Sequence, residues 1–131
     1  METIELSTRS RSCCVEITRE VQEVVTRRGL ESGAVVVGSV HTTAGLTVNE
    51  HADPDVMDDV LAALDRMVPR QGPYAHSEGN SDAHIKATLV GLSVTVPVEN
   101  GRLVLGTWQG IFFCEFDGPR QRRVTVQLVG T

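Results

Sequence analysis

The segment LSVTVPVENGRLVL, residues 92–105, decides the fold class. Two runs rich in β-branched residues, 92–98 and 103–105, flank the tripeptide Glu99-Asn100-Gly101. Asn-Gly readily takes the positive φ angles of a tight hairpin, so the two runs are predicted to pair antiparallel. By the same composition, strands are predicted at residues 34–40, 43–48, 111–116 and 124–129.

Two amphipathic helices precede most of these strands. The first is predicted over residues 17–28, with one apolar stripe and Gly29 as its stop. The second begins at Asp53-Pro54, an N-cap followed by proline at the first helical position, and ends before Pro69. His51, just before this cap, is interpreted as a surface residue. The helices come early in the chain and most strands come late, without regular βαβ alternation. This order predicts an α+β fold.

The chain of 131 residues has the length of one compact domain. We therefore predict a single domain over residues 1–131, with an antiparallel sheet or sandwich as its core. Two main helices and a short third helix are expected to pack on that core.

Charge and cysteine content restrict the partners. Seventeen acidic and twelve basic residues give a net charge of -5, which argues against general binding of nucleic acid. Four arginines in the C-terminal third can still form a local patch for a small phosphorylated ligand: Arg102, Arg120, Arg122 and Arg123.

The three cysteines, Cys13, Cys14 and Cys114, form no CxxC pair and indicate a reducing compartment. They are interpreted as small buried side chains rather than nucleophiles. Neither a leader-like apolar segment nor a run of about 18 apolar residues is present, so we expect a cytoplasmic protein that does not insert into a membrane.

Residues 41–50, HTTAGLTVNE, carry a polar row. Alternation along a strand would place His41, Thr43, Thr47 and Asn49 on one face, with Glu50 at the end. A row of hydrogen-bonding groups on a rigid element is a suitable scaffold for a site. A solvent-facing strand with threonines that favour β structure would show the same pattern.

Residues 74–84, YAHSEGNSDAH, lead into a short helix through Leu89 that Asn80 or Ser81 can cap. His84 then lies in the first turn, where the helix dipole favours neutral imidazole and where exposed amides can bind phosphate. Asp82 is a candidate general base, although an acid is favoured in a first turn whatever the function.

Three histidines, His41, His76 and His84, fall within this region and can form a metal site with an open position. Each of them can equally cap or hydrogen-bond its own loop. Four carboxylates are candidates for a general base, a Mg²⁺ ligand or a histidine-orienting group: Glu50, Glu78, Asp82 and Glu115.

The only tryptophan, Trp108, stands beside Gln109 in LGTWQG. It can stack on a planar heterocycle while Gln109 hydrogen-bonds the edge, although a lone tryptophan more often serves ordinary packing. Arg120, after the turn at Asp117-Gly-Pro, can reach a phosphate with two hydrogen bonds.

Four blocks, HTTAGLTVNE, DPDV, YAHSEGNSDAHIKATLVG and LGTWQGIFFCEFDGPRQRRV, together resemble the YjbQ-like family, described as secondary thiamine-phosphate synthase enzymes. The resemblance implies a homotrimer with a β-sandwich-like core. It also implies a transferase that joins hydroxymethylpyrimidine diphosphate to thiazole phosphate and releases pyrophosphate, with Mg²⁺ assisting. The implied site comprises His41, Asn49, Glu50, His76, Asn80, Asp82, His84, Trp108, Gln109 and Arg120.

Within that set, the catalytic roles are assigned to His84, Glu50 and Asp82. Substrate binding is assigned to Asn49, Asn80, Trp108, Gln109 and Arg120. Two alternatives remain: a zinc-dependent hydrolase that uses His41, His76 and His84, and a non-enzymatic trimeric protein that binds a metal or another ligand.

Overall fold

The structure is a computed structural model that describes residues 1–131, and it confirms the α+β prediction. The strands are β1 (Glu2–Ser7), β2 (Cys13–Glu16), β3 (Ser32–Ser39), β4 (Ala44–Glu50), β5 (Ser93–Glu99), β6 (Arg102–Leu103), β7 (Gln109–Glu115) and β8 (Gln121–Gly130). The helices are α1 (Thr18–Arg28), α2 (Pro54–Met67) and α3 (Ser81–Val90). None of the three helices is long and apolar enough to cross a membrane.

The strands form two antiparallel sheets. The larger sheet has the order β1-β8-β3-β5-β6, and the smaller sheet has the order β2-β7-β4. Valines of β3, β5 and β8 share one core with Leu46 of β4 and Phe113 of β7, and α1 adds Val21 and Val25 to it. The main core therefore lies between the two sheets, as in a sandwich.

Strand β7 separates two layers because its side chains alternate between faces. Ile111 and Phe113 point into the core between the sheets. Phe112 and Cys114 point the other way, toward α2 and α3, where they meet Met57. The protein is consequently three layers deep: the large sheet, the small sheet, and the pair α2 and α3.

The local signals in the sequence are confirmed at three places. Asn100 and Gly101 have φ angles of 53° and 74° and form the tight hairpin between β5 and β6. Asp53 caps α2 by accepting a hydrogen bond from the amide of Asp55. Gly29 ends α1 in the left-handed conformation, with φ of 68°.

Three local features differ from what the sequence predicts. Strands β1 and β2 were not predicted, because β1 alternates only two apolar residues and β2 is four residues long. Strand β4 begins at Ala44, so His41 and Thr43 lie before the strand and do not belong to its polar row. Asn80 occupies the N-cap position of α3, but its side chain makes no capping hydrogen bond.

Candidate functional site

A pocket of about 370 Å³ lies where the N-terminus of α3 meets the segment before β4 and the start of β8. Its lining includes His41, Asn80, His84, Arg120 and Arg122, and we call it the histidine–arginine pocket. The structure thus brings together four residues of the sequence-predicted site: His41, Asn80, His84 and Arg120. Arg120 and Arg122 are two of the four arginines of the predicted anion patch. Arg102 lies elsewhere, at the β5–β6 hairpin.

A buried ion pair forms the floor of the histidine–arginine pocket. Arg122 on β8 and Glu115 on β7 both face the core between the sheets, and their side chains are 4% and 0% exposed. Arg122 Nε donates to Glu115 Oε1 over 2.7 Å, and Arg122 Nη2 donates to both Glu115 Oε2 and Thr43 Oγ1. The Thr8 hydroxyl donates to the same carboxylate over 2.6 Å. This network closes one end of the sandwich.

Glu115 remains ionised despite its burial. Burial alone would raise the pKa of this carboxyl group, but hydrogen bonds from Arg122, Thr8 and the amide of Asp117 outweigh it and lower the pKa. The negative charge of Glu115 is therefore balanced by the guanidinium group of Arg122. Glu115 orients the guanidinium group and is not free to act as a base.

His41 presents a defined tautomer to the pocket. Its Nε2 accepts a hydrogen bond from the amide of Arg123 over 2.9 Å, which in a neutral ring leaves the proton on Nδ1. Burial, with the positive charge of Arg122, lowers the pKa of His41 and keeps the ring neutral. His41 therefore supplies an N–H donor rather than a metal-binding lone pair.

Asn80, Asp117 and Arg120 form the rim of the pocket. Asp117 Oδ2 accepts from Asn80 Nδ2 over 2.9 Å and from Arg120 Nη2 over 3.0 Å. Burial would raise the pKa of Asp117, but these two hydrogen bonds outweigh it and lower the pKa. The carbonyl Oδ1 of Asn80 is buried and has no hydrogen-bond partner. A bound hydrogen-bond donor at this atom would remove a cost of about 1–3 kcal/mol.

Asp82, two residues after Asn80, is buried and paired with two cationic side chains. Its carboxylate accepts from Arg11 over 3.0 Å and from Lys86 over 3.3 Å, and its side chain is 1% exposed. Arg11 also reaches Asp117, over 3.2 Å, so Asp82 is connected to the rim through that arginine. The geometry assigns Asp82 a positioning contact, because both carboxylate oxygens already bind cations.

His76 and His84 are neighbours, with ring centroids 5.6 Å apart in an edge-to-face arrangement. His84 lines the histidine–arginine pocket as well as a second, largely apolar depression that includes Tyr74 and His76. No hydrogen bond within the chain involves the ring nitrogens of His84. Both ring nitrogens are therefore available to hydrogen-bond a bound ligand.

The donor groups of one chain do not fit the predicted metal sites. No three His, Cys, Asp or Glu side chains are grouped so that they could hold an ion. Nε2 of His41 is already hydrogen-bonded, and the carboxylates of Asp82, Glu115 and Asp117 are paired with cationic side chains. Neither a three-histidine zinc site nor a carboxylate magnesium site is assembled within the chain.

The remaining predicted residues lie at the opposite end of the small sheet. Asn49 and Glu50 end β4, and Glu50 pairs with Gln109 at the start of β7. The length of β4 separates them from the histidine–arginine pocket by about 20 Å. Glu50 accepts from the amides of Ala52 and Asp53, and Trp108 is 63% exposed. Asn49 and Gln109 accept hydrogen bonds from nearby backbone amides.

A cleft of about 420 Å³ at this opposite end lies between β2 and the start of α2, and it is lined by Glu50 and His51 among others. His51 Nδ1 lies 2.9 Å from Glu16 Oε2, and His51 Nε2 lies 3.3 Å from the carbonyl of Thr107. Both acceptors favour the doubly protonated ring. The hydrogen bond to Glu16, followed by that to Thr107, raises the pKa of His51.

Replacing His51 by glutamine is expected to lower the melting temperature more at about pH 5.5 than at pH 8. Because the folded-state pKa is raised, the stabilisation is complete below the unfolded value of about 6.5 and is lost as pH rises through the folded value. Thermal unfolding followed by circular dichroism across that range measures it. Glu16→Gln should remove the same pH dependence; an equal loss for His51→Gln at both pH values would contradict the assignment.

The sequence model of the family described as UPF0047 protein YjbQ-like matches residues 2–131. The chain belongs to this YjbQ-like family. UPF0047 protein YugU of Bacillus subtilis is 48% identical over 131 residues and covers 99% of both chains. A UPF0047 protein of Archaeoglobus fulgidus is 45% identical over 126 residues, which is 95% of this chain and 97% of the relative.

Solved structures of YjbQ-like proteins have the same fold. A crystal structure of a YjbQ/UPF0047 family protein from Clostridium acetobutylicum has a TM-score of 0.97 at 50% identity and covers 98% of this chain and 100% of its own. A protein of unknown function from Sulfolobus solfataricus has a TM-score of 0.95 at 34% identity, covering 99% and 96%. The names of these relatives state a family and no activity.

Several residues of the site have no signal in the sequence. Asp117 was interpreted only as part of a turn, yet it holds both Asn80 and Arg120. Arg11 and Lys86 are ordinary charged residues in the sequence, and only their ion pairs with the buried Asp82 connect them to the site. A buried polar network that connects distant segments leaves no periodic pattern.

Proposed function

We propose that this YjbQ-like protein is a thiamine-phosphate synthase-like transferase that binds small phosphorylated substrates in the histidine–arginine pocket. It would join hydroxymethylpyrimidine diphosphate to thiazole phosphate and release pyrophosphate. One observation carries the proposal: Arg120, Arg122 and the neutral ring of His41 line one pocket beside the N-terminus of α3. Guanidinium groups, imidazole N–H groups and helix N-termini are the groups with which proteins hold phosphate.

The chemistry needs stabilisation of a leaving group. The bond between the pyrimidine methylene carbon and the diphosphate oxygen breaks, and the thiazole nitrogen forms the new bond to that carbon. Negative charge develops on the departing pyrophosphate, where donors already fixed in place are most effective. Arg122 is fixed by Glu115, and His41 is fixed by the amide of Arg123. His84, with its ring nitrogens free, would donate a proton to the pyrophosphate.

Asn80 adds a requirement on the ligand. Its unpartnered Oδ1 can only accept a hydrogen bond. The amide group is held in this orientation because its Nδ2 donates to Asp117. A fully ionised phosphate cannot satisfy that oxygen. A hydroxyl, an amino group or a protonated phosphate oxygen can, and the aminopyrimidine part of the proposed substrate carries such a donor.

The test of the proposed function is product formation by the wild-type protein. Both phosphorylated precursors are supplied with Mg²⁺, pyrophosphate is assayed, and thiamine phosphate is identified by mass. Formation of both products in equal amounts supports the transferase. Tight binding of the precursors without any product would instead support the non-enzymatic ligand-binding alternative. No observation in the structure favours the zinc hydrolase.

Replacing Arg120 by alanine is expected to weaken the binding of pyrophosphate about tenfold, measured by isothermal titration. The side chain of Arg120 is 53% exposed and projects charge at the rim, so its loss removes one charge-assisted hydrogen bond. Arg123→Ala is the matched control, because its side chain lies outside the pocket lining. Equal affinities for wild type and Arg120→Ala would exclude this rim as the anion site.

The proposed transferase acts as a homotrimer. An apolar patch of Val40, Ile85, Leu89 and Leu92 is exposed beside the histidine–arginine pocket, with Val40 next to His41 and Ile85 next to His84. The amide of Ser39 donates to the carbonyl of Leu92, which holds the two ends of the patch together. Covering such a patch with a second copy would also shield the pocket from water.

Replacing Leu89 by glutamate is expected to shift the protein from trimer to monomer, because a charge would be buried at the contact. Light scattering coupled to size-exclusion chromatography gives the mass of each species. Leu89 is 57% exposed, so the folded monomer should tolerate the change. Met67→Glu, at a more exposed position on α2, should remain trimeric; a monomeric wild type would contradict the assembly.

A further inference from the structure

Two of the three cysteines face each other across neighbouring strands of the small sheet. Cys14 on β2 pairs directly with Cys114 on β7. Residues directly opposite in an antiparallel pair point to the same face, here the face toward α2. Their sulfur atoms lie 3.6 Å apart and hydrogen-bond to each other. Cys13 is paired with Glu115 and points to the other face of the sheet.

The two thiols differ in access. Cys14 is half-buried and lines the cleft between β2 and α2, together with Asp58 and Leu61. Cys114 is buried, at 2% exposure, beneath Met57 and the other apolar side chains of the helical layer. A small solute in the cleft therefore reaches Cys14 and not Cys114.

The hydrogen bond also shifts the pKa values of the two thiols in opposite directions. The thiol of Cys114 lowers the pKa of Cys14, although burial and the charge of Asp58 oppose this effect. The same hydrogen bond, together with burial, raises the pKa of Cys114. Since the thiolate is the reactive form of cysteine, Cys14 is the nucleophile of the pair.

We propose that Cys14 and Cys114 form a peroxide-reactive dithiol, with Cys14 as the attacking sulfur and Cys114 as the resolving sulfur. The Cys14 thiolate attacks hydrogen peroxide, the O–O bond breaks, and Cys14 sulfenic acid and hydroxide form. The Cys114 thiol then attacks the Cys14 sulfur as it loses its proton, and water leaves. The products are one intramolecular disulfide and reduced peroxide, and a thiol reductant restores the dithiol.

The strand geometry permits this bond without rearrangement of the sheet. Cα atoms of directly opposed antiparallel residues are about 4.5–5.5 Å apart, within the range of about 4.4–6.8 Å found for disulfides. Residues on both sides of the pair, Cys13 with Glu115 and Val15 with Phe113, are already in register. This inference does not depend on the proposed transferase, since the pair lies outside the histidine–arginine pocket.

The experiment treats the folded, full-length protein with a small excess of hydrogen peroxide and then blocks free thiols by alkylation. Trypsin cuts after Arg11, Arg19, Arg102 and Arg120, so Cys14 and Cys114 fall in separate peptides. We expect one cross-link between these peptides, with Cys13 alkylated, and its loss after treatment with dithiothreitol. Fragment masses distinguish Cys13 from Cys14.

Three variants complete the design. Cys13→Ser should form the disulfide like the wild type, and Cys14→Ser should form none. In Cys114→Ser, the sulfenic acid at Cys14 should persist and be trapped by dimedone. A cross-link through Cys13, a cross-link between chains, or oxidation of the wild type only after denaturation would overturn the proposal. The wild-type peptide map decides it even if a variant fails to fold.

Discussion

Replacing Arg122 by methionine is expected to lower the free energy of unfolding by about 3–5 kcal/mol. The substitution keeps most of the side-chain volume but leaves the carboxylate of Glu115 buried without its cation. Thr8 and the amide of Asp117 still donate to that carboxylate, but neither carries a charge. Equilibrium unfolding in urea, followed by circular dichroism, measures the change.

Two further variants distinguish the loss of the ion pair from a general loss of stability. Arg123→Met changes the neighbouring, exposed arginine and should alter the stability by less than about 0.5 kcal/mol. The double variant Glu115→Leu with Arg122→Met should recover most of the loss, since a buried ion pair can be replaced by apolar residues. A single Arg122→Met variant as stable as the wild type would show that the pair contributes nothing.

The stability difference between wild type and Arg122→Met should shrink as the pH falls. In the wild type the pKa of Glu115 is lowered, so its contribution is present above the ordinary value of 4.5 and is lost as pH falls through the folded-state pKa. In the variant the buried carboxylate gains by protonation, so acid relieves its cost. The same unfolding curves at neutral and acidic pH test this sign.

Replacing His84 by alanine is expected to lower the turnover of the proposed transferase about 100-fold. His84 is the pocket histidine whose ring is free to donate a proton, whereas Nε2 of His41 is already engaged by the amide of Arg123. The loss should appear in kcat rather than in KM, because proton donation acts on the departing pyrophosphate. Steady-state pyrophosphate release measures both constants.

His76→Ala is the matched control for His84→Ala. The His76 ring contacts His84 edge-to-face but lies outside the histidine–arginine pocket. It should therefore lower turnover much less than His84→Ala. Unchanged turnover in His84→Ala, with the protein folded and pyrophosphate still bound, would remove His84 from the chemistry while leaving the phosphate site in place.

The residues that the sequence pattern singles out fall in two separate places in the structure. His41, Asn80 and His84, from residues 41–50 and 74–84, line one pocket. Asn49, Glu50, Trp108 and Gln109 belong to the other end of β4 and β7. A motif conveys proximity along the chain, but a strand about 20 Å long separates groups that are close in sequence.

The sequence alone also could not assign chemical roles within the pocket. His41 has the same side chain as His84, but the amide of Arg123 turns it into an N–H donor. Asp82 was a candidate base from its residue type, and burial against Arg11 and Lys86 makes it a positioning group. Such roles depend on partners that are distant in the chain.

The sequence by itself determined the fold class and those local elements that have clear backbone signals. The start of α2 is marked by Asp53-Pro54, and the end of α1 is marked by Gly29. The β5–β6 hairpin is marked by Asn100-Gly101. Each of these signals depends on the backbone preferences of a few adjacent residues. Only the tertiary structure decided that β7 and β8 bring Glu115 and Arg122 together beneath His41. Strand pairing brings together residues that are distant in sequence. Once the two side chains are buried, each charge is stabilised by the presence of the other.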